Sequence, residues 1–366
     1  MRNKTFSPAC LSCFLAVLAL SRNCDTASLR GKDIGEGVVK NFLYHHKKWV
    51  KECLEKVHEF FVQRQSLLDK TEGEEMAIEK VFIVGSGLMG SGIAQVCAQV
   101  GIQVFINDIS QEILNKGLKN ISWSVGKFVE KGKLKESLET IMGRIRTGID
   151  FAAAGQADLA IEAVFEKLEL KQEIFKKLDE VCAPGALLAS NTSAIPITEL
   201  ATVTKHPERV LGLHFFSPAP MMEVVEIVKG VKTSEQTMQA GVQFVQKIGK
   251  EPIRVESDVP GFLLNRINLI GYVEAIRLLE QGIGTVEDID KGVRLSFGRR
   301  LGPLETGDLV GLDVSFGGLT AIYNESKDIR YYPPQLLRRK VKAGELGRKT
   351  GHGWYEYNPD GTPKKK

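Results

Sequence analysis

Residues 85–90 read Gly85-Ser86-Gly87-Leu88-Met89-Gly90, with glycine at the first, third and sixth places. The first glycine permits a tight turn and the second lets the main chain approach a pyrophosphate. The third lets a strand and the following helix pack closely. Eighteen residues beyond Gly90 stands Asp108, where a carboxylate accepts hydrogen bonds from adenosine ribose hydroxyls and repels a 2′-phosphate. No arginine follows it in Ile109-Ser110-Gln111, so the pattern selects NAD over NADP. Such a triplet alone is a weak signal, and its meaning depends on lying between a strand and a helix.

A second group of polar residues interrupts apolar runs further on. Ser190-Asn191-Thr192-Ser193 follows Leu187–Ala189, His214 closes Val210–Leu213, and Glu226 stands within Val224–Val228. Oxidising an alcohol with NAD requires a base for the hydroxyl proton as hydride leaves the carbon, and imidazole titrates near neutral pH. A carboxylate among valines is costly unless paired, and an imidazolium is a natural partner. The residues alone leave His214 open between a general base and a core histidine with satisfied hydrogen bonds. No cluster has metal-ligand spacing. Cys10 and Cys13 form a CxxC, but no second pair completes a site.

The elements that must carry these residues are legible from periodicity. Lys80–Gly85 is a β-branched run ending in glycine, Leu88 to about Val100 is helical, and Gln103–Asp108 is a second strand, together a βαβ unit. Further strands are predicted at Leu159–Ala163, Leu187–Ser190, Val210–His214 and Val224–Val228, with helical segments between the first three. This alternation predicts an α/β fold, a Rossmann-type doubly wound sheet over residues 76–259. Strand patterns stop after Pro260. Asp258 and Pro260 mark a helix start, with Gly282 waiting after Gln281, and Thr285 resembles an N-cap for the next helix. An all-helical C-terminal domain over residues 260–366 is expected. Its first helix is apolar on nearly every face, which predicts burial against a partner as well, hence a homodimer through this domain.

At 366 residues the chain exceeds what one core usually serves. Its net charge of +4 gives no reason to invoke nucleic acid, yet a mildly basic surface suits an anionic substrate. Residues 1–75 read as an N-terminal extension. Ala9–Leu20 is a 12-residue apolar run, short of the ~20 residues a membrane span needs but long enough for a signal-peptide core. A secretory reading conflicts with the intracellular cofactor chemistry that follows. Arg2, Lys4, Arg22 and Arg30 with few early acids fit a mitochondrial presequence. Val38–Leu68 has helical periodicity (Val39, Phe42, Val50, Leu54, Val57, Phe61), and Glu72–Glu75 reads as a solvated linker. The favoured reading is an appended segment on a cytoplasmic protein, with the mitochondrial matrix as the alternative. Cys97 and Cys182 stand alone in apolar helical patterns and are expected to be buried thiols.

Several segments in register resemble signatures of the 3-hydroxyacyl-CoA dehydrogenases: Ser190–Ser193, Gly212–Phe216, Pro218–Pro220, Val224–Glu226, Pro260–Asn265 and Gly302–Glu305. The similarity runs from about Glu79 to Tyr357 and is strongest toward short-chain 3-hydroxybutyryl-CoA enzymes of bacterial type. The resemblance implies His214 as general base and Glu226 as the carboxylate that orients it. It implies Asn265 as a substrate contact from the second domain, and Ser193 as a contact to substrate and nicotinamide. Glu166, Lys171, Ser217 and Lys349 match cofactor-contacting positions beside the glycine loop and Asp108. Ser124 and Lys131, after Asp108, match CoA-contacting positions. The implied substrate is an acyl-CoA, in practice (S)-3-hydroxybutyryl-CoA or acetoacetyl-CoA.

Two departures stand out. The family's usual asparagine before Pro218 is Ser217, which is shorter and puts that contact with nicotinamide in question. Its usual Pro-Met-Gly-Pro is Arg300-Leu301-Gly302-Pro303, preceded by Arg299. The rivals are a related dehydrogenase acting on a free 3-hydroxyacid such as carnitine or gulonate, and a non-catalytic NAD-binding structural protein.

Overall fold

The computed structural model describes Ala77–Lys364, and the chain divides between Glu75 and Met76. The apolar run, the expected amphipathic helix and four of the cysteines lie outside the described residues.

The strands form one eight-stranded sheet in the order β3-β2-β1-β4-β5-β6-β7-β8. They are β1 (Lys80–Val84), β2 (Gln103–Asn107), β3 (Ile145–Gly148), β4 (Leu159–Glu162), β5 (Leu187–Ser190), β6 (Val210–Phe215), β7 (Val224–Val228) and β8 (Glu251–Val255). β1 to β6 are parallel, and the order reverses outward from β1 on one side and β4 on the other, the doubly wound arrangement. β7 runs antiparallel to β6, and β8 is parallel to β7. Periodicity did not reveal β3 or β8. Ile-Arg-Thr-Gly and Glu-Pro-Ile-Arg-Val are polar edge-side strands with intermediate burial, not continuous apolar runs.

Helices cover both faces. α1 (Leu88–Gln99) follows β1 and is buried over most of its surface, from Gly90 to Ala98. α2 (Gln111–Glu130) is capped by the Ser110 side chain and buries a single stripe, Leu114, Gly117, Ile121 and Val125. A short α3 (Leu138–Met142) precedes β3, α4 (Leu168–Val181) joins β4 to β5, α5 (Ile197–Ala201) precedes β6, and α6 (Glu235–Lys247) joins β7 to β8. One core, with Ile83, Ile93, Ile106, Leu213 and Phe244, lies on one face of the sheet. A second, with Phe82, Phe175, Leu188 and Val210, lies on the other.

The helical region begins with α7 (Leu264–Glu280), followed by α8 (Val286–Phe297), α9 (Pro303–Val310), α10 (Leu312–Ser326) and α11 (Gln335–Lys342) around a third core. α7 starts four residues later than Pro260 suggested. Gly261 (φ +78°) and Phe262 (φ +46°) turn the chain first, and a Cβ on Gly261 would meet Ile322 Cδ1 at 2.4 Å. Thr285 caps α8 as expected, accepting from Asp288 N at 3.1 Å. Cys97 and Cys182 are buried free thiols, and burial pushes Cys97 up to about 12 and Cys182 up to about 11. No helix among the described residues is long and apolar enough to cross a membrane.

Candidate active site

The glycine loop has the build its spacing predicted. Gly85 sits at φ +101°, closing the turn after β1. A Cβ on Gly90 would lie 1.9 Å from Gly85 O, so only glycine lets α1 return this close to the strand. A Cβ on Gly87 would meet nothing within 4 Å. Gly87 is the N-cap of α1 and makes no side-chain cap, so the helix N-terminus meets open space, the arrangement that receives a pyrophosphate. Leu88 and Met89 begin α1, Leu88 exposed and Met89 half-buried against the core.

Asp108 Oδ2 accepts from Ser86 N and Ser86 Oγ, both at 2.7 Å, and Oδ1 accepts from Ile109 N at 2.7 Å. The carboxylate therefore binds the end of β2 to the glycine loop. α2 closes on the same loop, because a Cβ on Gly117 would meet Ser86 O at 2.9 Å. Ser124 and Lys131 lie seven residues apart on and just after this helix, on one side of it. Ser124 is half-buried and Lys131 exposed.

The antiparallel pairing of β6 with β7 decides the next feature. It sets His214 directly opposite Glu226. His214 Nδ1 and Glu226 Oε2 are 2.6 Å apart, with Glu226 fully buried and His214 nearly so. Glu226 Oε1 accepts from Leu263 N (3.1 Å) and Leu264 N (2.8 Å) at the start of α7. The carboxylate thus satisfies two donors that a helix N-terminus would leave unpaired, and it draws on the positive end of the helix. With Glu226 as acceptor, the Nδ1 of His214 carries the hydrogen and Nε2 is left as the basic nitrogen. Phe216 and Phe262 flank the imidazole, with ring centroids at 4.5 and 5.6 Å. Asn265 lies in the first turn of α7, half-buried, and its side-chain amide makes no hydrogen bond to another described residue.

The loop after β5 is held by an ionic network that spacing did not reveal. Glu162, fully buried at the end of β4, accepts Lys171 Nζ (2.7 Å) and Val164 N (2.7 Å) on Oε1, and Ser190 Oγ (2.6 Å) on Oε2. Lys171 Nζ also lies 3.2 Å from Glu166 Oε2. Glu166 Oε1 accepts Thr192 Oγ1, Ser193 N (3.0 Å) and Ala194 N (3.1 Å). Desolvation pushes the Glu166 carboxyl up, but Lys171 and the Thr192 and Ser193 bonds outweigh it and hold the group below its ordinary value. Asn191 Oδ1 accepts from Phe215 N at 2.9 Å, joining this loop to the end of β6.

Lys171, expected at a cofactor contact, is 1% exposed and turns its ammonium to the two glutamates. Its visible work is to hold Glu166. Lys349 is half-exposed in the helical region, with Nζ on both Asp313 oxygens at 2.6 and 2.7 Å. Ser217 is exposed just beyond β6. Glu162, and the N-terminus of α7 as donor to Glu226, are contributors that the residue pattern left unnoticed. The signal for Glu162 was present: a carboxylate ending an apolar four-residue strand, the same anomaly that drew attention to Glu226.

Known proteins carry the same construction. Residues 80–259 match the 3-hydroxyacyl-CoA dehydrogenase NAD-binding domain, and residues 261–357 match the C-terminal domain of that family. A probable 3-hydroxybutyryl-CoA dehydrogenase of Deinococcus radiodurans is 41% identical over 278 residues, 76% of this chain and 100% of the relative. The pig hydroxyacyl-coenzyme A dehydrogenase, mitochondrial, is 38% identical over 292 residues, 78% of this chain and 93% of the relative. The crystal structure of (S)-3-hydroxybutyryl-CoA dehydrogenase from Ralstonia eutropha superposes with a TM-score of 0.74 at 40% identity, covering 77% of this chain and all of that one. With a glycine loop open to a dinucleotide, a buried His–Glu pair, and both domains matched in order, the chain belongs to the NAD-dependent 3-hydroxyacyl-CoA dehydrogenase family.

Proposed function

We propose that this protein interconverts (S)-3-hydroxyacyl-CoA and 3-oxoacyl-CoA, with 3-hydroxybutyryl-CoA and acetoacetyl-CoA as the working pair. The observation that carries it is the buried 2.6 Å His214–Glu226 pair, whose carboxylate also seats the N-terminus of α7, the helix bearing Asn265. NAD, held by Gly85–Gly90 and Asp108, supplies the hydride acceptor when bound. In the oxidative direction His214 Nε2 takes the substrate hydroxyl proton. Glu226 keeps the ring oriented and stabilises the imidazolium that results. Because Glu226 and His214 are screened from water, their attraction is stronger than it would be at the surface. The free Ser193 hydroxyl hydrogen-bonds the reacting oxygen, and Asn265 holds the substrate from the helical side.

The substrate reading rests further on Ser124 on α2 and Lys131 just after it, which lie on one side of that helix and would meet CoA. CoA brings several phosphates and a long arm, whose remote binding energy positions the small reacting end. The test compares acetoacetyl-CoA with the same acyl group on N-acetylcysteamine. A large kcat/KM penalty for the truncated thioester is expected, and a smaller one in Lys131→Ala. Equal turnover of both by the unmodified protein would sink the CoA assignment in favour of a free-acid dehydrogenase.

The helical region presents exposed Ile267, Ile283, Leu295, Phe297, Leu309, Val310 and Val314. So much apolar surface on one domain fits a homodimer formed through it. Cytoplasmic placement suits the chemistry, with the mitochondrial matrix as alternative should residues 1–75 act as a presequence. Fractionation of cells expressing the tagged full chain separates the two.

A further inference from the structure

Glu162 takes no part in the chemistry above, yet it is as completely buried as Glu226. Burying an ammonium with a carboxylate gives stability only when geometry and extra hydrogen bonds repay the lost hydration, and an apolar pair often serves a core as well. The Glu162–Lys171 pair is therefore a costly way to fill that space, and its contacts point in one direction. Ser190 Oγ bonds Glu162 directly, at the start of the loop that carries Ser193. Lys171 Nζ, fixed by Glu162 at 2.7 Å, reaches Glu166 at 3.2 Å. Glu166 then takes Thr192 Oγ1 and the backbone N–H groups of Ser193 and Ala194. The loop is gripped at its first residue and again across its last three. Ser193 gives its N–H to Glu166, while its hydroxyl bonds no other described residue.

We propose that Glu162 is a positioning residue for the dehydrogenase reaction: directly through Ser190, and through Lys171 and Glu166, it sets the Ser190–Ala194 loop so that the Ser193 hydroxyl is presented to the substrate. The proposal rests on the reading that Ser193 meets the reacting end. Glu162 fixes the ammonium, the ammonium fixes Glu166, and Glu166 fixes two consecutive backbone donors. A hydroxyl on a loop so held is preorganised for the transition state, and misplacement by about 1 Å is enough to cost rate on the order of 10²-fold. The effect belongs in kcat, because the network shapes geometry at the reacting end and does not touch the adenosine or CoA ends.

The experiment is a double-mutant cycle on the full chain with Glu162→Gln and Ser193→Ala, following acetoacetyl-CoA reduction by NADH and thermal unfolding in parallel. Glu162→Gln is expected to lower kcat about tenfold with little change in KM for acetoacetyl-CoA, and to cost less than about twofold in the Ser193→Ala background. Equal losses in both backgrounds, with Ser193→Ala itself impaired, would overturn the positioning role and leave the functional reading intact. An unimpaired Ser193→Ala would remove Ser193 from the reaction and this proposal with it. An unchanged kcat in a folded Glu162→Gln also overturns it. Should that variant unfold, Glu162→Gln with Lys171→Met buries no charge and runs the same cycle. Failure of both to fold would show a purely structural pair and overturn the proposal.

Discussion

Glu226 accepts three hydrogen bonds inside the protein, one from His214 and two from the start of α7. A carboxylate so placed does two jobs with one charge: it sets the tautomer of His214 and it seats the helix bearing Asn265. Replacing His214 by Gln is expected to lower kcat by roughly 10²–10⁴, the usual range for general acid–base catalysis. Glu226→Gln should lose much of the same and add a fall in Tm, because an amide meets the α7 N–H groups less well than a carboxylate. The double variant should be little slower than His214→Gln, since residues acting as a unit are not additive. Steady-state kinetics on the four proteins decide this, and fully multiplicative losses would show that the pair does not act together.

At the level of elements, the strand–glycine–helix junction separates binding from folding. The Gly87 site is open, while Gly90 is pressed against Gly85 O. Gly87→Ala should leave the unfolding temperature of the NAD-free protein nearly unchanged and weaken NAD, because a methyl group would stand where a pyrophosphate must approach. Gly90→Ala should destabilise the NAD-free protein by about 1–3 kcal/mol or more, the cost of forcing atoms into a packed site. Thermal melts and NAD titrations of the two variants make the check, and equal Tm losses would contradict it. β1, β2 and α1 are legible in sequence because a buried parallel strand is a continuous apolar run bounded by glycine. β3 and β8 are not, because strands near a sheet edge tolerate Arg, Thr, Glu and Pro.

For the molecule as a whole, two expectations follow from what surrounds the site. Every matched segment lies beyond Met76, and the Deinococcus relative is covered along its full length by 76% of this chain. A protein starting at Met76 should turn over within about tenfold of the full chain in kcat/KM, or ~1.4 kcal/mol. A larger loss would give residues 1–75 a part in the reaction. The exposed apolar residues of the helical region should be covered in solution by a second copy. Sedimentation velocity is expected to show a dimer, and Leu295→Glu with Phe297→Glu to shift it toward monomer. A monomeric unmodified protein at micromolar concentration would count against the dimer.

The βαβ unit, the glycine loop, the acid at Asp108 and the change to helices after Pro260 could be read from the chain alone. Each is written in local periodicity or in spacings of a few residues. The residues by themselves left His214 open between a base and a core histidine, for Glu226 lies twelve residues away on another strand, and only antiparallel pairing sets the two face to face. The same holds for Glu162, Lys171, Glu166 and the Ser193 loop, drawn from β4, the β4–α4 loop, α4 and the end of β5. Lys171 could be placed by motif but not understood, since the pattern of residues does not say whether an ammonium faces a cofactor or two carboxylates. That choice belongs to tertiary structure, where the expense of burying a charge is met only by partners that folding brings from distant parts of the chain.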